Sequence, residues 1–297
     1  MFEHFIITQF NLRQFPNSLN TDLETWTLWT RKRFGIFQTY CLSSMIKQSV
    51  QNFKWLIYFD VATPSEFDEQ ISALKHYDFI DVCYADGYSD FHNKYLIDIQ
   101  QKTPFDTQWI ITSRLDNDDC LHFRAIERIQ KEFVPKDKFM ISLAMGYVYD
   151  MEIKKLSKYC YPMSPFISCV EENKKSAVGI YHKCHGAWNL KLCMLKELYN
   201  RYFEKKQKKQ NVCFVIDQVL WIQLYHKENV SNNFYRGFPV LRSIDLTDYG
   251  ISSISVSSSF WKIYKYYNYV IWKRYIKALI INAITKFVNQ ISSLLKL

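Results

Sequence analysis

Glycine and proline are scarce, with seven of each in 297 residues, so collagen-like, linker and low-complexity classes are excluded. None of the eight cysteines (41, 83, 120, 160, 169, 184, 193 and 213) belongs to a CxxC pair, which sets aside zinc ribbons and thioredoxin-type redox sites. The opening stretch MFEHFIITQFNLRQF has no basic start and no long apolar core, so it does not read as a secretory signal. The expectation is a cytoplasmic protein whose thiols are reduced and mostly buried. Asp and Glu are missing from Phe260 to Leu297, where Lys262, Lys265, Lys273, Arg274, Lys277, Lys286 and Lys296 supply seven of the nine net positive charges. The remaining chain is close to neutral, which argues against nucleic acid as a partner of the main body.

What is present is a globular composition, 48% hydrophobic and 17% aromatic, in a chain long enough to bury a large core. The first half alternates two periodicities. Glu3 to Thr8 opens as a strand, and Phe37, Tyr40, Cys41, Ser44, Met45 and Gln48 then recur at helical spacing. Lys54-Trp55-Leu56-Ile57-Tyr58-Phe59-Asp60 is an uninterrupted apolar run ending in an acid, as expected of a parallel strand buried on both faces. Thr63-Pro64-Ser65-Glu66 reads as a capped helix start. Further strands are expected over 79–84, 109–113 and 138–144, and helices over 90–101 and 121–133. In the second half, 188–203 and 215–227 read as helices, and 204–210 as an exposed basic segment. This alternation predicts an α/β sheet with helices on both faces, whose ligands sit beyond the carboxyl ends of the strands. Asp60, Asp86 and the acids at 116–119 all follow strands at that end.

The densest signal is Asp116-Asn117-Asp118-Asp119, at the tip of the strand that contains Trp109. An N-cap with acids at the start of a helix accounts for one or two of these carboxylates but not for three together. An EF-hand loop fails, because Leu121 stands where the turn needs glycine. Like charges this close repel unless something neutralises them, and the strand–acid–helix context favours a Mg2+ or Mn2+ site with one or two carboxylates and open positions for a diphosphate.

The ordered set FIITQFNLR, Trp29 with Arg33, Gln48 before Phe53-Lys54-Trp55-Leu56-Ile57, and TSRLDNDD resembles the rhamnosyltransferase-like glycosyltransferases over about residues 4–225. The resemblance implies a GT-A-like, Rossmann-type mixed sheet with helices on both faces. It also implies a D-x-D motif formed by Asp116 and Asp118, with Asp119 sharing the metal or its waters. Arg114 would then stand beside the nucleotide or its diphosphate, or else pair with the neighbouring acids. Asn11, Arg13, Asp60 and Asp86 are implied as nucleotide contacts.

Inverting transfer needs a base for the acceptor hydroxyl. Asp217, opening an apolar stretch read as a helix, is the expected base, with a plain helix cap as the bland alternative. Glu171 and Glu172 follow it as candidates. His182 and His185 flank Cys184 but lack a fourth ligand for zinc. His185 and Trp188 are read as acceptor or diphosphate contacts. The organisation expected is a GT-A-like domain over 1–250, with a nucleotide-sugar half (1–145) and an acceptor half (146–250). A basic aromatic helical tail follows over 251–297. The apolar runs of 260–297 fall short of the roughly 18 residues that span a bilayer. They suit a helix lying on anionic lipid, or one packed on the domain.

The expected activity is transfer of a sugar, L-rhamnose by resemblance, from a nucleoside-diphosphate donor to a glycan or lipid-linked acceptor. A nucleotidyltransferase is disfavoured, because Gln9-Phe10-Asn11-Leu12-Arg13 offers no glycine-rich phosphate loop. A non-enzymatic basic module leaves the acid cluster unexplained.

Overall fold

The computed structural model describes residues 1–13, 22–152, 154–162, 164–183, 211–226, 237–240 and 244–251. Four parallel strands form its centre: β1 (Phe2–Gln9), β2 (Lys54–Asp60), β3 (Ile80–Ala85) and β4 (Trp109–Arg114). Strand β9 (Ile167–Glu172) runs antiparallel between β4 and β6 (Phe139–Leu143), and β10 (Val212–Val215) pairs in parallel with β6. The seven-stranded order is β10-β6-β9-β4-β1-β2-β3. Two strands from beyond residue 145 thus return to the first sheet.

Successive side chains of a strand face opposite ways, and here both faces are covered. Ile6, Trp55, Ile57 and Phe59 join Phe34 and Phe37, Ile71 and Leu74, and Ile126 and Ile129 in one core cluster. These partners come from α1 (Leu23–Ile36) with its π-helical continuation over Phe37–Leu42, from α3 (Asp68–Leu74) and from α5 (Ala125–Lys131). Phe5, Ile7, Leu56 and Tyr58 point the other way, onto Phe91, Tyr95 and Ile99 of α4 (Gly87–Lys102). The expected α/β sheet with helices on both faces is therefore present, and it reads as unbroken apolar runs because neither face is wet.

A second sheet has the order β12-β8-β7-β11-β5, formed by β5 (Cys120–Leu121), β7 (Met145–Asp150), β8 (Lys155–Cys160), β11 (Trp221–Tyr225) and β12 (Phe238–Pro239). Trp221, fully buried, stacks on Phe166 at 4.6 Å and donates Nε1–H to the Leu143 carbonyl at 2.6 Å, which welds β11 to the first sheet.

Three expectations are corrected. The helix expected over 121–133 begins only at Ala125, because Cys120 and Leu121 pair antiparallel with Ile222 and Trp221. The helix expected over 215–227 is instead the end of β10, a loop and β11, whose aromatic and β-branched residues pack between β5 and β7. The capping box at Thr63 does not form. Pro64 is extended, the Thr63 hydroxyl donates to the Asp60 carbonyl, and Glu66 pairs with Arg31 at 2.7 Å. The expected helix over 188–203 and the tail over 251–297 lie outside the described residues, apart from Ile251. Among the described residues no helix is long and apolar enough to cross a membrane.

Candidate active site

Parallel strands end together, so the loops after β1, β2 and β4 meet at one edge of the sheet. After β1, the Asn11 Oδ1 accepts from the Asp60 backbone N–H at 3.0 Å, and its Nδ2 donates to the Thr63 hydroxyl at 3.1 Å. Asp60 is fully buried. It accepts from Arg13 N–H and Nε–H at 3.2 and 3.1 Å, from the other guanidinium arm at 2.8 Å, and from the Ala62 N–H at 3.0 Å. The same Arg13 reaches Asp86 at 3.2 Å. Asn11, Arg13, Asp60 and Asp86 therefore come together as expected. Asp60 has its lone pairs occupied by protein and acts by orienting Arg13, whose side chain is half-exposed along with the outward Asp86.

After β4 the chain is laced to β1. The Leu115 N–H donates to the Ile7 carbonyl at 3.1 Å, the Thr8 hydroxyl to the Leu115 carbonyl at 2.7 Å, and Asn117 Nδ2 to the Phe10 carbonyl at 2.6 Å. From this fixed loop the three carboxylates leave in different directions. Asp116 is held by a fork from Arg114, with contacts of 3.0 to 3.2 Å, and its side chain keeps 35% of its surface in solvent. Arg114 in turn lies over the Tyr181 ring at 5.5 Å. Asp118 is buried against Arg33 and accepts from His226 at 3.1 Å. Asp119 is buried and accepts the Leu224 N–H of β11 at 3.1 Å.

Burial pushes the Asp118 carboxyl up, but the Arg33 charge and the hydrogen bonds from His226 and Arg33 outweigh it and hold the group at about 2. Asp119 goes the other way, because burial and then the charges of Asp118 and Asp116 push its carboxyl well above the usual range. Burial and then the nearby carboxylate charges likewise raise the thiols of Cys41 and Cys120, which disfavours their thiolate forms.

These positions decide how the motif fits a metal. A hard cation needs carboxylate oxygens with lone pairs to spare, converging on one point. Asp118 is engaged by Arg33 and His226, Asp119 by the Leu224 N–H, and Asp116 by Arg114, so each carboxylate has a different protein partner. Among the described residues no three His, Cys, Asp or Glu side chains are placed to hold an ion. Asp116, Asp118 and Asp119 are thus not gathered into a single three-carboxylate cage in this structure.

Asp217, the expected base, lies on an exposed turn and not at a helix start. The hydrogen bond from Arg128 at 2.8 Å lowers its carboxyl pKa and so its basicity. Glu171 is fully buried and caps the loop before Tyr181 by accepting the Val178 and Gly179 N–H groups at 3.0 and 2.8 Å. Glu172 pairs with Lys174 at 2.8 Å. His185 and Trp188 lie outside the described residues. Arg33, His226 and Tyr181 carried no assigned role in the sequence. Only the Trp29–Arg33 spacing hinted at Arg33, and these two do stack, at 5.0 Å.

No curated protein matches the chain. Among solved structures, residues 1–349 of S. aureus TarS align with a TM-score of 0.35 and 9% identity, over 75% of this chain and 60% of that one. A longer S. aureus TarS structure gives 0.37 and 9%, over 75% and 36%. Apo mouse xyloside xylosyltransferase 1 gives 0.26 and 14%, over 49% and 53%. The chain thus spans less than two thirds of the length of each of these. The family described as "Putative rhamnosyl transferase" matches residues 27–236, which run from α1 through the acid motif to β11 and beyond. The chain belongs to that family of glycosyltransferases.

Proposed function

We propose that this chain transfers a sugar, L-rhamnose by family description, from a nucleoside-diphosphate donor to the hydroxyl of a glycan or lipid-linked acceptor, with inversion at the anomeric carbon. In such a displacement the acceptor oxygen bonds to the anomeric carbon as the bond to the diphosphate breaks. The hydroxyl proton leaves to a base, and negative charge builds on the departing diphosphate. The observation that carries the reading is the strand-end edge. There the Arg13–Asp86 and Arg114–Asp116 pairs lie at and just beyond the ends of parallel strands, where open α/β sheets bind ligands. Arg13 and Arg114 supply planar cations suited to phosphate oxygens. Their buried supports, Asp60 under Arg13 and Tyr181 under Arg114, fix their orientation before a ligand arrives.

The test is release of free nucleoside diphosphate from a panel of nucleotide-sugars, dTDP-L-rhamnose included, with Mn2+ and with EDTA. One donor turned over well above the others supports transfer. Equal, background release from every donor under both conditions overturns it.

A further inference from the structure

Helix α1 buries four side chains, Trp26, Thr30, Arg33 and Phe34. The first three recur at i, i+4 and i+7, so they form one stripe about 10 Å long at 1.5 Å rise per residue. Each carries a buried polar atom with no hydrogen-bond partner among the described residues: Trp26 Nε1, Thr30 Oγ1 and Arg33 Nε. Buried donors are nearly always paired, and three unpaired ones on one helix face call for a partner. Their chemistry is one-sided. Indole and guanidinium nitrogens only donate, and a hydroxyl can donate, so the stripe asks for acceptor oxygens. A guanidinium stands at each end. Arg33 uses one arm on Asp118 and keeps Nε for another partner. At the other end the half-exposed Arg13 lies 5.9 Å from the Trp26 ring.

We propose that the Trp26–Thr30–Arg33 stripe is an oxyanion site that takes the donor's diphosphate directly, with the Arg33 guanidinium neutralising the charge usually assigned to a divalent ion. The inference rests on the glycosyltransferase reading for the identity of its ligand. It also accounts for the misfit of the acid motif as a metal cage. In this structure Asp118 holds an arginine, and the arginine faces the phosphate.

The probe is inorganic pyrophosphate in EDTA, read by thermal melting and by titration calorimetry on the full chain. Thr30→Val and Trp26→Phe remove only the unpaired polar groups, so both free variants should melt at or above wild type. Wild type should bind pyrophosphate without metal, and each variant should bind it roughly tenfold more weakly, the value of one hydrogen bond to a charged group. Arg33→Gln should abolish binding, and the two milder variants keep the test valid if it does not fold. No binding in EDTA, or binding that Thr30→Val and Trp26→Phe leave intact, overturns the proposal. The two readings fail separately. Donor turnover with pyrophosphate binding unaltered by Thr30→Val removes the stripe and leaves transfer standing. Metal-free pyrophosphate binding lost in Thr30→Val, without turnover of any donor, keeps the stripe and removes transfer.

Discussion

Replacing Asp118 with alanine separates two accounts of the acid motif by the sign of its effect. If three carboxylates are crowded together to await a cation, removing one relieves repulsion, and the free protein gains stability. In the geometry described above the opposite holds. Asp118 is 5% exposed, Arg33 7% and His226 6%, so its loss leaves a guanidinium buried without its counter-charge. Breaking a buried pair by removing one partner costs about 3–5 kcal/mol. For a chain of this size, at about 2 °C per kcal/mol, the melting temperature should fall by roughly 6–10 °C. Asp116→Ala is the internal control. Its pair with Arg114 is partly exposed, 35% and 23%, and its loss should cost no more than about 1 kcal/mol. The double variant Arg33→Met/Asp118→Leu should recover most of the lost stability, since apolar replacement of both partners removes the stranded charge. Calorimetric melting of the four proteins at neutral pH, without added metal, decides the matter. A melting temperature for Asp118→Ala at or above wild type would refute the ion-pair account.

Other outcomes follow from neighbouring groups. Asp119 has its folded pKa raised, so its contribution is full below the unfolded value of about 3.9 and is lost as pH rises through the folded one. Asp119→Asn keeps the acceptor for Leu224 N–H, and should gain stability over wild type between pH 4 and 7 in urea titrations. Asp118 acts oppositely. Its stabilisation is full above about pH 4 and disappears as pH falls towards 2, a loss that Asp118→Asn should not show. A Cβ at Gly146 would lie 1.9 Å from Trp221 Cδ2, and that ring is fixed by Phe166 and the Leu143 carbonyl. Gly146→Ala should therefore reach or exceed the about 1–3 kcal/mol typical of overpacking, measured by chemical denaturation. Asp217→Asn should leave stability within about 1 kcal/mol, since Asp217 is largely exposed and Arg128 keeps its pair with Glu132. In steady-state assays, a fall in kcat beyond a hundredfold with unchanged melting would assign Asp217 the base role, and near-normal turnover would confine it to the surface.

The sheet was legible where burial on both faces leaves a continuous signature. The strands ending at Asp60 and Arg114 stand out because each holds a consecutive apolar run, Trp55–Phe59 and Trp109–Ile111, and the acids at and beyond their ends mark the binding edge. Legibility failed where pairing decided the conformation. Cys120-Leu121 and Trp221-Ile222 have no strong local preference that separates strand from helix, and each becomes a strand because the other lies opposite it. The site divides the same way. Asn11, Arg13, Asp60 and Asp86 could be gathered from sequence because each follows a parallel strand, and topology alone brings them together. The partners of Asp118 lie 85 and 108 residues away, and nothing local to Arg33 or His226 announces the contact.

That distance explains why one short motif carries so many acids. Asn117 ties the loop to β1, Asp118 to α1, and Asp119 to β11 of the second sheet. Only Asp116 is turned to solvent beside the cationic edge. A loop that must join two sheets and a helix needs a buried hydrogen-bonding partner for each, and a short amide as donor and two short carboxylates as acceptors supply them here. On this reasoning Asn117, Asp118 and Asp119 are three separate attachments of one loop, and Asp116 is the acid left over. The charge that a leaving diphosphate requires is then sought among the arginines this loop positions, Arg33 and Arg114.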